Sequence, residues 1–160
     1  MKRKYVVMGV SGCGKSSIGQ AVADELNIPF FDGDDYHSAT NVEKMQSGIP
    51  LTDDDRESWL IRLNQLLKDN SELVVACSAL KPEYRDILRM GCEELLFFYL
   101  KGDFETIWSR HQEREGHYFR GFSMLESQFE TLVEPSVSEA LYVDIKQTPA
   151  QITQDILSKI

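Results

Sequence analysis

Long apolar runs are missing from this 160-residue sequence. No stretch approaches the ~18 residues that would span a bilayer, so a transmembrane helix is not expected. Cysteine is scarce. Cys13, Cys77 and Cys92 are odd in number and lack metal-ligand spacing, which argues against a disulfide framework or a zinc site and for reduced thiols. Positive charge is in deficit: 17 Lys and Arg face 26 Asp and Glu, for a net charge of -9. A surface of that sign repels nucleic acid and anionic membrane, and any anionic small molecule must find a locally positive pocket. Repeats, low-complexity tracts and Pro/Gly linkers are absent too, and His111 and His117 have neither triad nor metal spacing. The basic start, Met1 to Lys4, is followed by only six apolar residues before a Ser/Gly-rich stretch, too few for an export signal. A cytoplasmic location is expected.

What is present is an ordinary globular mix, 42% apolar and 27% charged. A chain of this size buries roughly 68–70% of its unfolded surface, so one compact domain over residues 1–160 is expected. Short apolar runs predict strands at Tyr5 to Val10, Pro29 to Asp32, Leu73 to Cys77, Leu95 to Leu100 and Leu141 to Ile145. Between them lie segments of helical period. Lys15 to Leu26 sets Ile18, Val22 and Leu26 on one face, and Thr52 heads a helix over 53–69 whose stripe includes Trp59, Leu60 and Leu63. Further helices are expected from Pro82 to about Met90, from Phe104, near Met124 to Leu132, and from Pro149 to Leu157; Trp108 and Phe129 read as core. The alternation predicts an α/β fold, a parallel sheet wrapped by helices. Residues 33–52 and 115–123 break the rhythm, and long connections in such folds often carry function.

Gly9-Val10-Ser11-Gly12-Cys13-Gly14-Lys15-Ser16 matches G-x-x-x-x-G-K-S between an apolar strand and an amphipathic helix. Glycines there let successive amide N–H groups, continuing to Ser17, turn inward on phosphates at the helix N-terminus. Lys15 is expected on the β- and γ-phosphates, and the Ser16 hydroxyl on Mg²⁺. Cys13 is a variable position of the motif, either a small spacer or an oxidisable thiol.

Asp32-Gly33-Asp34-Asp35 follows the second strand, at the sheet edge where open α/β folds bind ligands. A kinase acting on an alcohol needs one carboxylate near hydrated Mg²⁺ and one near the attacking hydroxyl. Asp32 and Asp34 could divide those tasks, with an Asx turn as the competing reading for Asp34.

These residues, with His37, Asn41-Val42-Glu43-Lys44-Met45, Gly48 through Arg56, Trp59-Leu60, Cys77-Ser78-Ala79-Leu80-Lys81 and Tyr84-Arg85-Asp86, resemble the gluconokinase family of the shikimate-kinase-like group. Leu100 to Phe104, Arg114 to Phe119 and Gln128 to Leu132 with Glu134-Pro135 extend the likeness over nearly the whole chain. The resemblance implies a three-layer α/β/α P-loop fold like that of nucleoside-monophosphate kinases, with five parallel strands in the order 2-3-1-4-5. It implies ATP- and Mg²⁺-dependent phosphorylation of D-gluconate at its 6-hydroxyl, feeding sugar-acid carbon into the pentose phosphate pathway, and commonly a homodimer. One departure concerns the lid: members of that group often carry a lysine after the Gly-His-aromatic-aromatic piece, where this chain has Arg120.

A sugar-acid substrate needs cations around it, and the middle of the chain offers His37, Lys44, Arg56, Lys81 and Arg85. Arg56 and Arg85 lead, because a guanidinium grips a carboxylate bidentately, although Arg56 could instead pair along its own helix. Ser78 ends the third strand, facing substrate or serving as a turn residue. Asp53, Asp54 and Asp55 read as helix-capping acids. Arg110, Arg114 and Arg120 could form a cationic lid over ATP, with adenine contacts from Arg110 and the loop Lys146 to Pro149. Another kinase of this fold, for shikimate or a nucleoside monophosphate, and a nucleotide-sensing module are the alternatives; no N-K-x-D guanine reader is present.

Overall fold

The computed structural model describes residues 3–92, 94–115 and 122–160, with backbone alone for 111–115. Strands β1 (Arg3–Met8), β2 (Phe30–Asp32), β3 (Glu72–Ala76), β4 (Leu95–Lys101) and β5 (Ala140–Asp144) form one sheet in the order β2-β3-β1-β4-β5. Every pairing is parallel; Val6, for example, sits opposite Val75 on one side and Phe97 on the other. Tyr5 to Met8 are buried in succession. Since neighbouring strand residues point to opposite faces, such a run requires cover on both, which the helices supply.

The helices are α1 (Lys15–Leu26), α2 (Ala39–Gln46), α3 (Asp53–Asp69), α4 (Pro82–Arg89), α5 (Phe104–Glu115), α6 (Phe122–Thr131) and α7 (Pro149–Ser158). Helix α1 packs on β2, β3 and α7, while α3 packs on α4 and α5 on α6. Leu60, Leu63 and Leu67 of α3 are completely buried, as the stripe requires. Thr52 caps α3 reciprocally: the Asp55 N–H donates to Thr52 Oγ1 at 3.2 Å and the Thr52 N–H to Asp55 Oδ2 at 2.9 Å. Phe122 packs edge-on against Trp108 and Phe104, with Phe129 against Phe104, which joins α6 to α5. Among the described residues no helix is long and apolar enough to cross a membrane.

Two features depart from the sequence expectation. Strand β1 stops at Met8 rather than Val10 because Gly9, at φ 149°, turns out of the ladder. The stretch 33–52 is not an open loop: it holds a 3₁₀ turn over Gly33–Tyr36 and then α2, N-capped by Ser38. Asn41 is the buried residue of α2, so the helix has no apolar stripe from which periodicity could reveal it.

The carboxyl ends of β1, β2 and β3 lie side by side. They deliver Gly9, Asp32 and Ser78 to one edge of the sheet, where the strand order switches direction.

Candidate active site

The turn from β1 to α1 is built on positive backbone φ at Gly9, Gly12 (82°) and Gly14 (99°), where other residues are strained. A side chain on Gly9 would also lie 3.1 Å from the Leu100 carbonyl oxygen. The loop therefore folds tightly over the N-terminus of α1. Lys15 lies back along it, donating to the Val10 carbonyl at 3.2 Å. Ser16 Oγ donates to Asp32 Oδ2 at 2.7 Å, so the motif hydroxyl and the first acid of β2 are in contact.

Asp32 also accepts the Asp34 N–H on Oδ1 at 3.0 Å, which closes the turn and lifts Asp34 clear of the strand. The Asp34 side chain is 71% exposed, and its Oδ1 lies 3.9 Å from His37 Nε2. Gly33 between the acids is buried under Trp59, whose Nε1–H donates to the Gly33 carbonyl at 2.7 Å. The His37 ring stacks on Trp59 with centroids 4.0 Å apart. Burial pushes His37 below the usual histidine range; Asp34 opposes that shift and Arg56 adds to it.

Lys15, Asp34, His37, Arg56, Trp59 and Ser78 share the lining of one cavity of about 220 Å³. Ser11 and Gln128 complete its cradle side, and the Ser11 N–H donates to Gln128 Oε1 at 2.6 Å. Arg56 is buried, donates to the Tyr84 hydroxyl at 2.9 Å, and among the described residues meets no carboxylate within 4 Å. The Tyr84 hydroxyl in turn donates to Asp53. A second cavity, about 270 Å³, lies beyond the cradle between Gly12, Ser17, Arg110, Gln147, Pro149 and Ile152. It joins Arg110 to the loop expected to meet adenine.

Three expected substrate cations are elsewhere. Lys44 grips both oxygens of Asp55 at 2.9 Å and ties α2 to α3. Lys81 pairs with Asp53 at 3.0 Å. The structure takes Arg85 out of the site altogether: it is fully buried, donating to Glu139 Oε1 at 2.8 Å and to the carbonyls of Ala79 at 2.7 Å and Val133 at 3.1 Å. A guanidinium so engaged has no reach for substrate. The Arg114 side chain and Arg120, with 116–121 of the expected lid, lie outside the described residues.

A family model described as "Shikimate kinase" matches residues 11–160. The chain is 51% identical over 149 residues to "Thermoresistant gluconokinase" of Escherichia coli, covering 89% of this chain and 85% of that protein. "Thermosensitive gluconokinase" of Escherichia coli is 47% identical over 156 residues, covering 94% and 83%. This chain belongs to the gluconokinase family. The crystal structure of a gluconokinase from Sinorhizobium meliloti 1021 superposes with a TM-score of 0.93 at 42% identity, over 98% of this chain and 90% of that one. Shikimate kinase from Aquifex aeolicus, at 15% identity and a TM-score of 0.61, shares the fold alone. The family places a kinase fold under the cradle and acids described above.

Other site residues escaped sequence reasoning. Trp59 sits on a helical leucine stripe and reads as core, yet its edge holds Gly33 and its face holds His37. Gln128 and Met124 reach the cavity from α6, across 117 residues in the case of the Ser11 contact. Asn41 and Tyr84 lie in segments that carry the family resemblance, but their hydrogen bonds have no sequence signal beyond residue type.

Proposed function

We propose that this chain transfers the terminal phosphoryl group of ATP to the 6-hydroxyl of D-gluconate, giving 6-phospho-D-gluconate and ADP. The observation that carries the reading is the cavity that Lys15, Asp34 and Arg56 share. A phosphate-binding ammonium, a carboxylate that can take a proton and a carboxylate-seeking guanidinium there face one small space. At about 220 Å³ it lies below the range of roughly 300–1,000 Å³ usual for drug-sized ligands, which suits a short sugar acid better than a second nucleotide. The names of the curated relatives point to the same substrate.

In this reading the cradle amides and Lys15 seat the β- and γ-phosphates, and the adenine side of ATP extends toward Arg110 and Pro149. Arg56, steadied by Tyr84, receives the gluconate carboxylate and so sets which end of the chain reaches the nucleotide. Asp34 accepts the 6-hydroxyl proton as the new O–P bond forms and the bond to the ADP oxygen breaks. His37 and Ser78 line the same cavity and meet the hydroxyls of the substrate. Ser16 Oγ and Asp32 Oδ2 are hard oxygen donors that fit Mg²⁺ and would hold it. Such an ion would supply neutralisation of charge on the phosphate oxygens. Arg114 and Arg120 complete the proposal as lid cations. The reading takes residues 1–160 as one kinase domain, acting in the cytoplasm, with a homodimer as the expected form from the family resemblance.

A coupled assay of ADP release over gluconate, other sugar acids, shikimate and nucleoside monophosphates tests it. ADP release that depends on gluconate is expected. Equal turnover with every acceptor, or with none, refutes the substrate.

A further inference from the structure

We infer that Asn41 is a positioning residue: it fixes His37 as the neutral ring protonated on Nε2, and that N–H orients the acceptor hydroxyl so that its proton faces Asp34. The inference takes from the kinase reading above the identity of the hydroxyl. The tautomer itself follows from contacts. The Asp55 carbonyl oxygen can only accept, so the Asn41 side-chain atom 2.6 Å from it is the NH₂ nitrogen. That nitrogen also lies 3.3 Å from His37 Nδ1. An NH₂ group offers no lone pair, so Nδ1 must be the acceptor, and the proton of the neutral ring sits on Nε2.

The rest of the surroundings hold that arrangement. The His37 side chain is 3% exposed and stacked on Trp59, and a ring flip within that stack would set Cδ2 in place of Nδ1 and lose the Asn41 hydrogen bond. Asn41 is held in turn by its own N–H, which donates to Ser38 Oγ at 3.1 Å, and by the Lys44–Asp55 pair that joins its helix to α3. Protonating the ring would set a second donor against the Asn41 NH₂. The charged groups around the ring are Asp34 on the 3₁₀ turn, Arg56 on α3 and Lys15 across the cavity. Of these, Asp34 alone favours the charged form.

His37 Nε2 and Asp34 Oδ1, 3.9 Å apart, are too far for a direct hydrogen bond, but an oxygen about 2.8 Å from each bridges them. Accepting from Nε2–H, a hydroxyl there keeps its own proton for Asp34. With the opposite tautomer Nε2 would compete for that proton and turn it away from the base. Asn41 touches neither reactant and acts through His37.

Nitrogen-15 imidazole spectra of the wild-type protein read the ring directly, since the chain has three histidines and His37→Gln assigns the signal. At about pH 8, above the usual histidine range, a neutral Nε2–H ring is expected. An Nδ1–H ring or an imidazolium overturns the proposal, whatever happens to any variant. Asn41→Asp replaces the donor by an acceptor of the same shape. The ring should then move its proton to Nδ1 or stay charged to higher pH. With gluconate, kcat should fall by about 10- to 100-fold, its acid limb should shift upward in pH, and the heat of ATP binding should be unchanged. A wild-type ring with wild-type kcat in that variant overturns the proposal. Wild-type protein with the Nε2–H ring but no sugar-acid turnover removes the gluconate assignment and leaves the ring assignment standing, so the two failures read separately.

Discussion

Replacing Gly33 by alanine should separate chemistry from nucleotide binding. Gly33 lies between Asp32 and Asp34, and a Cβ built on it falls 2.4 Å from the Ala76 carbonyl oxygen of β3, with Leu63 Cδ1 at 3.4 Å. Backbone oxygen cannot rotate aside as a side chain could. Restoring ordinary contact needs about 1 Å of movement, a shift that costs roughly 100-fold in rate when it displaces reacting groups. The 3₁₀ turn is the element free to move, and it carries Asp34. Its shift would also stretch the 2.7 Å bond from Trp59 Nε1 to the Gly33 carbonyl. Overpacking of this kind costs about 1–3 kcal/mol, or some 3–10 °C in Tm for a chain of this size. Because the cradle stands on β1 and α1, ATP affinity should hold. The expected result for Gly33→Ala is therefore a kcat with gluconate lowered about 100-fold, a depressed Tm and an unaltered ATP titration. Wild-type kcat and Tm would refute the placement of the turn against β3. Loss of ATP binding in step with kcat would refute the confinement of the shift to the 3₁₀ turn, since Asp32 meets the cradle at Ser16.

Three further outcomes follow from named contacts. Asp34→Asn removes the proton acceptor and should lower kcat by about 10²–10⁴-fold with ATP binding retained in calorimetry; an unchanged rate removes Asp34 from the chemistry. Arg85→Ala leaves the Ala79 and Val133 carbonyls without their buried donor and Glu139 to Arg89 alone, and should destabilise by about 1–3 kcal/mol for each orphaned carbonyl in urea melts. In the fraction that folds, KM for gluconate should stay within about twofold, whereas a raised KM would return Arg85 to the substrate. The Thr52 N–H, followed by Lys44, holds Asp55 at about 2, below its ordinary 3.8. A folded-state pKa below the unfolded one adds stability above pH 3.8 that is lost as pH falls toward 2. Asp55→Asn should therefore flatten the fall in stability over that window in melts at stepped pH, and an unchanged slope would deny the linkage.

The parts of this molecule that were legible before folding are those written in short-range pattern. Strand positions followed from apolar runs too short for helices, and α1 and α3 began and ended where periodicity and the Thr52 cap placed them. The cradle could be named because one contiguous segment carries all of its donors. Helix α2 was hidden because it buries an asparagine instead of an apolar stripe. Arg85 was misplaced for a related reason: residue type alone cannot tell a guanidinium facing a ligand from one committed to Glu139, Ala79 and Val133, 48 and 54 residues distant in two of those cases.

The sequence by itself determined a phosphate-binding turn, an acidic pair behind a second strand and an α/β alternation, because each depends on residues within a few positions of one another. Only the tertiary structure decided that Arg56 rather than Arg85 faces the cavity, that Trp59 supports both Gly33 and His37, and that Gln128 closes on Ser11. Those choices depend on which side chains the parallel sheet brings together at its carboxyl edge, and on which donors remain unclaimed once buried polar groups have found partners.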